Sequence, residues 1–96
     1  MSRPASPPPR SRVRQVPDCA WQAVEDQTLI VRPRERQLHL LNETGGALWH
    51  WLETPRTVDE LAGLLQAEFD VEADEARADV LAFLETLREK GLITGD

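Results

Sequence analysis

Apolar residues follow a strand-like pattern over the first part of the chain. Three short segments are rich in β-branched and other apolar residues and are bounded by polar turns, as strands are. Because the connections between them are short, they predict an antiparallel sheet in which consecutive strands are neighbours. The three predicted strands are residues 21–24, 28–32 and 37–41.

The apolar period becomes helical after residue 41. Asn42 is suited to cap a first helix, and Thr57 with Glu60 forms the capping box that begins a second. Gly91 stands where a left-handed residue is expected to end the third helix. Three strands followed by three helices predict an α+β domain that is winged-helix-like. The predicted helices are residues 42–53, 58–69 and 74–90.

The first 17 residues differ in composition from the rest of the chain. They are rich in proline, serine and arginine, and Val13 is the only sizeable apolar residue before Val16. So few apolar groups cannot offset the entropy lost on ordering. We therefore predict a disordered or loosely attached arm over residues 1–17 and a single domain over residues 18–96.

Charge is distributed unevenly along the chain, whose formal net charge is −6. The first 17 residues carry +4 and the remaining 79 carry −10. An acidic domain repels phosphate backbones, which argues against nucleic acid as the main partner. No apolar run is long enough to span a membrane, and no secretory signal precedes the domain, so we expect a cytoplasmic protein without a membrane partner.

Residues that commonly carry catalysis are sparse. Cys19 is the only cysteine, and His39 and His50 lie on different predicted elements. The serines all fall in the N-terminal arm, so no nucleophile with a base beside it is predicted. No Cys/His cluster has the spacing of metal ligands. We therefore expect neither an enzyme nor a cofactor or metal site.

One strip of the third predicted helix is apolar with a cation at each end. Leu81 lies about 120° from the centre of the buried arc, too far round for packing in the core alone. Arg77, Leu84 and Arg88 are its neighbours on that strip. If the third strand is a sheet edge, an extended peptide could add to it and reach the strip. The alternative is that Leu81 packs inside and the arginines only solubilise the helix.

Four segments resemble the PqqD-like family in order and spacing. They are LHLLNETGGALW at residues 38–49, RTVDEL at 56–61, DVLAFL at 79–84 and GLI at 91–93. The resemblance covers about residues 20–94. The chain departs from the family at Gly45, where alanine is usual, at Thr54-Pro55, where Asp-Gly is frequent, and at Gly91-Leu92, where the PQQ member tends to have Gly-Trp. The resemblance therefore indicates membership of the broad family more firmly than a role in PQQ biosynthesis itself.

The resemblance implies a recognition element for ribosomally made, post-translationally modified peptides. Such modules are similar to a winged helix and bind the leader segment of a precursor peptide between the third strand and third helix. They present it to a maturation enzyme, often a radical-SAM protein, or to a leader peptidase. The peptide-binding residues implied here are Gln37, Leu38, His39, Leu40, Leu41, Arg77, Leu81, Leu84 and Arg88.

Two other functions are compatible with the pattern. A winged helix could bind nucleic acid through the arginine-rich arm, although the acidic domain opposes this. The chain could also be an interaction or dimerisation domain with an exposed Trp49 or Trp51 as its contact. A third strand with a free edge could pair with itself, which would give a homodimer.

Overall fold

The computed structural model describes residues 11–95 and contains two small sheets and three helices. A three-stranded sheet and a two-stranded ribbon account for all five strands in this range. The elements are β1 (Val13–Gln15), β2 (Ala20–Val24), β3 (Gln27–Arg32), a 3-10 turn (Pro33–Glu35), β4 (Gln37–Leu41), α1 (Glu43–Trp51), α2 (Val58–Phe69), α3 (Ala73–Glu89) and β5 (Ile93–Gly95).

The larger sheet has the order β2-β3-β4, and both strand pairs are antiparallel. The predicted α+β fold, three such strands followed by three helices, is confirmed. Thr28 and Ile30 of β3 are buried and face the helices. In the register of β3 with β4, Thr28 is opposite Leu41 and Ile30 is opposite His39. Since paired residues project from the same face, His39 and Leu41 also project towards the helices.

The two-stranded ribbon joins the ends of the described chain and was not predicted. Its strands β1 and β5 are antiparallel. Val13 is only 1% exposed and belongs to the core, and its backbone exchanges hydrogen bonds of 2.8 and 2.9 Å with Arg56. Residues 1–10 of the predicted arm lie outside the described residues, whereas residues 13–15 form a strand. One apolar side chain suffices here because backbone pairing satisfies the strand's polar groups.

The helix ends follow the predicted capping chemistry. The side chain of Asn42 accepts a hydrogen bond of 2.8 Å from the backbone N–H of Gly45, as the N-cap of α1. Thr57 and Glu60 form the reciprocal capping box at the start of α2. Gly91 has a φ of +71° after the end of α3, the left-handed conformation that glycine adopts without strain. These local signals therefore set where each helix begins or ends.

All three helices bury apolar side chains in one core, which they share with Ile30 of the sheet. Trp49 of α1 and Leu61 of α2 have no exposed surface. From α3, the core receives Ala76, Val80, Leu84 and Leu87. A rigid core of this kind fixes the position of α3 relative to the sheet, which is the framework for the site.

The contact between α1 and β3 depends on the absence of a side chain at Gly46. A Cβ atom built there would lie 2.5 Å from Oγ1 of Thr28 and 3.2 Å from its Cβ. Thr28 is 7% exposed in the central strand, so it has little room to move. Gly46 therefore allows α1 to approach the sheet closely.

We expect Gly46→Ala to destabilise the protein by about 1–2 kcal/mol, because overpacking costs more than the gain in helix propensity. The matched control is Gly63→Ala in α2, where a Cβ would meet nothing within 4 Å. That change should be neutral or stabilising by up to about 1 kcal/mol. Urea denaturation of both variants measures the difference. The close-approach account fails if Gly46→Ala is as stable as Gly63→Ala, or if adding Thr28→Ala recovers none of the loss.

Candidate functional site

Strand β4 is an open edge of the larger sheet. Among residues 11–95, the only strand that pairs with β4 is β3. An edge strand presents a row of backbone N–H and C=O groups that no neighbouring strand uses. The strand is also unusually apolar on its exposed side, since Leu38 is 68% and Leu40 is 61% exposed. The edge therefore offers both backbone partners and apolar surface.

A groove of about 750 Å³ runs between this edge and α3. One wall is β4 and the other is a flank of α3, while α1 with its N-cap and Leu92 complete the lining. The lining residues are Leu38, His39, Leu40, Leu41, Asn42, Thr44, Gly45, Leu48, Asp79, Ala82, Phe83, Thr86, Leu87, Lys90 and Leu92.

Arg32 holds one end of the groove in place. Its Nη1 atom donates a 2.8 Å hydrogen bond to the carbonyl of Gly91, just after α3. Its Nη2 atom lies 3.3 Å from a carboxylate oxygen of Asp18, and the side chain is only 11% exposed. Arg32 is paired with Gln37 in the sheet. The last residues around α3 are therefore tied to the end of the sheet where β4 begins.

Gly45 lies at the bottom of the groove, at the end opposite Arg32. A Cβ atom at this position would lie 3.2 Å from Cε1 of Phe83 in α3 and 3.5 Å from Cβ of Leu41. The glycine thus lets α1, α3 and the end of β4 converge without filling the groove. Since Phe83 lies near the end of β4 and Lys90 near its beginning, α3 and β4 run in opposite directions along the groove.

The groove carries separated charges. Asp79 and Lys90 both line it from the side of α3, and His39 lines it from β4. The pKa of His39 is lowered from 6.5, mainly by desolvation and further by the positive charges of Lys90 and Arg32, while Glu35 acts in the opposite sense. The Nε2 atom of His39 lies 3.2 Å from Oε1 of Gln37. The imidazole is therefore mostly neutral at physiological pH.

The half-buried cysteine has the properties of a structural thiol. Burial raises the pKa of Cys19, and the neighbouring Asp18 raises it further, against an opposing effect of Arg32. Its Sγ atom lies 3.3 Å from the carbonyl of Val16. A raised pKa reduces the thiolate fraction and hence nucleophilicity.

Two further findings concern the stretch from residue 11 to residue 95. It contains no group of three histidine, cysteine, aspartate or glutamate side chains placed to hold a metal ion. No helix in that stretch is both long enough and apolar enough to cross a membrane.

The structure brings the predicted strand residues to the groove. Leu38, His39, Leu40 and Leu41 line it, and Gln37 begins the same strand. Whether they contact a peptide stays a prediction, but they lie on an edge strand, which is the condition that the sequence analysis set for strand addition.

The four predicted helix residues do not line the groove. Leu84 is fully buried in the core, and Leu81 is half-buried against it. Arg77 forms an ion pair with Asp59 of α2, and Arg88 is exposed. On a helical wheel this strip and the groove lie on opposite sides of the buried arc. A role for these four residues in peptide binding also stays a prediction.

Sequence reasoning missed the helix residues that do line the groove. Periodicity locates the centre of a buried arc, but it does not say which flank of that arc faces the sheet. One signal for the groove flank was available in the sequence. Ala82 and Phe83 extend the apolar arc of α3 on the side away from Leu81. The groove residues contributed by α3 and its end are Asp79, Ala82, Phe83, Thr86, Leu87 and Lys90.

The fold and the open edge define a small winged-helix-like α+β domain. The family described as Coenzyme PQQ synthesis protein D (PqqD) matches residues 27–93. The chain therefore belongs to the PqqD family. A comparison with curated proteins gave no significant match.

Three solved structures have a similar fold. TbiB1 in complex with the TbiA(beta) leader peptide has a TM-score of 0.76 and 20% identity, covering 83% of this chain and 93% of that one. A lasso peptide synthetase B1 complexed with its leader peptide has a TM-score of 0.75 and 22% identity, covering 85% and 96%.

The third structure is the PqqD truncation of Methylobacterium extorquens PqqCD. It has a TM-score of 0.72 and 19% identity, covering 86% of this chain and 88% of that one. It is described as a functional, stand-alone recognition element for ribosomally synthesised and post-translationally modified peptides.

We expect NMR titration to give His39 a pKa below 6.5, because desolvation and the two nearby cations disfavour its protonated form. Lys90→Gln should raise that pKa without restoring 6.5, since desolvation remains the main cause. Arg88→Gln, on the opposite flank of α3, is the control and should leave it unchanged. An unchanged His39 pKa in Lys90→Gln would show that Lys90 does not act at the groove.

Proposed function

We propose that this protein is a non-catalytic peptide chaperone for a ribosomally made precursor peptide. It binds the leader segment in extended form along β4 and presents it to a separate maturation enzyme. The observation that carries this proposal is that β4 pairs only with β3 among residues 11–95 and lies beside a groove with apolar walls.

Strand addition explains why edge and groove occur together. Backbone hydrogen bonds to β4 would supply affinity that does not depend on sequence. Alternate side chains of an extended peptide point to opposite faces, so every second residue would enter the groove. These side chains would meet Leu41, Ala82 and Phe83, which favour apolar residues. The peptide would also cover the exposed Leu38 and Leu40 in part.

The structural relatives support the same assignment. Two of them were solved with a leader peptide bound, and the third is described as a stand-alone recognition element. This supports a precursor peptide as the partner here. We further propose a cytoplasmic location and a partner enzyme of the radical-SAM or leader-peptidase class, which would supply the chemistry that this chain does not.

The test is peptide binding by a variant that fills the groove. Ala82 is exposed and lines the groove, so Ala82→Arg should block it without disturbing the core. Ala78→Arg is the matched control, since Ala78 is also exposed on α3 but does not line the groove. The probes are fluorescein-labelled N-terminal segments of the short peptides encoded beside the gene, measured by anisotropy.

We expect at least one probe to bind the wild type, Ala82→Arg to weaken that binding tenfold or more, and Ala78→Arg to leave it within twofold. Equal melting temperatures of the two variants would exclude misfolding as the cause. Arg88→Glu tests the opposite strip of α3: it should have little effect if the groove is the site. Binding that is lost in Arg88→Glu but retained in Ala82→Arg would contradict the groove.

A further inference from the structure

One flank of α3 carries an ordered series of charges along the groove. Asp79 comes first, Phe83 lies in the middle, and Lys90 follows the last helical turn. At about 100° per residue these three fall within about 40° of one another, so they lie on one line along the helix. Glu75, one turn before Asp79, extends the acidic end. The flank is thus acidic, then apolar, then basic.

Within residues 11–95, the charges of Asp79 and Lys90 are not used by ion pairs. Of the arginines in residues 11–95, Arg12, Arg32 and Arg77 pair with carboxylates, but neither Asp79 nor Lys90 belongs to any pair in that range. Both side chains are exposed. Arg32 already donates to the carbonyls of Lys90 and Gly91, so the ammonium of Lys90 is not required to satisfy the end of α3.

Two cations, Lys90 and Arg32, and two carboxylates, Asp18 and Glu35, lie near this end of the groove. Asp18 and Glu35 both lie beside Arg32 and reduce its effect. At His39, the influence of Lys90 and of Arg32 nevertheless exceeds that of Glu35 in setting the pKa, after the larger effect of burial. An acidic ligand group beside His39 would therefore have the cations Lys90 and Arg32 as neighbours.

Resting on the proposed function, we propose that the groove selects an extended peptide by charge polarity. The peptide carries an acidic residue at the Lys90 end, a basic residue at the Asp79 end, and an apolar residue between them that packs on Phe83. Asp79 and Lys90 are about 16 Å apart along the helix, at 1.5 Å per residue. An extended chain rises about 3.3 Å per residue and only every second side chain faces the groove, so the two charges lie about four or six residues apart.

The polarity can be reversed without changing the net charge. In the double variant Asp79→Lys/Lys90→Glu the two ends exchange sign, while the protein keeps its formal charge of −6. General attraction of basic or acidic peptides is therefore the same in both proteins. The matched control is Glu85→Lys/Arg88→Glu, which exchanges two exposed charges that do not line the groove.

The experiment selects from a random dodecapeptide library displayed on phage, using full-length wild type, the reversed variant, the control variant and Ala82→Arg as separate baits. Wild type and control should enrich sequences with an acidic and a basic residue about four or six positions apart in one order. The reversed variant should enrich the opposite order. Synthetic peptides of the two orders should differ about tenfold in affinity at low salt and less at high salt.

Two results overturn parts of the account separately. In the first result, peptides are enriched in a way that depends on Ala82, but they show no charge order, or they show the same order with the reversed variant. This would overturn the proposed charge polarity and leave the proposed function intact. Enrichment that is the same with wild type and Ala82→Arg would overturn the groove as a peptide site, and the polarity with it.

Discussion

The edge of β4, which no second strand covers in the part of the chain that the structure describes, is the constraint on which the rest of this structure depends. A sheet must end somewhere, and its last strand leaves half of its backbone groups without a strand partner. In many proteins a helix or loop covers such an edge. Here the core-facing side chains of α3 hold the helix behind the edge, so that a groove lies between them. Water or an added strand must then satisfy the outward backbone groups of β4.

Two consecutive glycines control how the edge and α3 are placed. Gly46 allows α1 to approach Thr28 of the central strand, and Gly45 leaves space in front of Phe83. Asn42 fixes the start of the same helix by capping it. At the opposite end, Arg32 ties the chain after α3 to the sheet. A short strand-to-helix segment and one buried arginine thus set the two ends of the groove.

The sequence predicted most of the fold because its signals are local. The three strands of the larger sheet, the caps at Asn42 and Thr57, and the glycine after α3 each follow from a few adjacent residues. The ribbon of β1 and β5 was missed because its strands are short and pair across nearly the whole described chain. Nothing near Val13 indicates that its partner lies beyond α3.

The site was predicted only in part, because one of its two walls depends on contacts between residues that are far apart in the chain. Strand order allowed the third strand to be a sheet edge, and the structure shows β4 at an edge of the larger sheet. The facing flank of α3 was not, because the position of α2 decides which side of α3 turns towards the sheet. Arg77 contacts Asp59 of α2, which places its strip on the side away from the groove. An unexpected consequence is that the groove flank carries its charges at opposite ends rather than a cation at each end.

Amide hydrogen exchange of residues 37–41, followed by NMR, tests strand addition most directly. In the free protein, alternate amides of β4 bond to β3 and the others face outward. With a saturating peptide selected from the dodecapeptide library, the outward amides should exchange at least tenfold more slowly, because they now donate to the peptide backbone. If those amides exchange equally fast in the saturated complex, the peptide does not bind as an added strand, and the central claim is wrong.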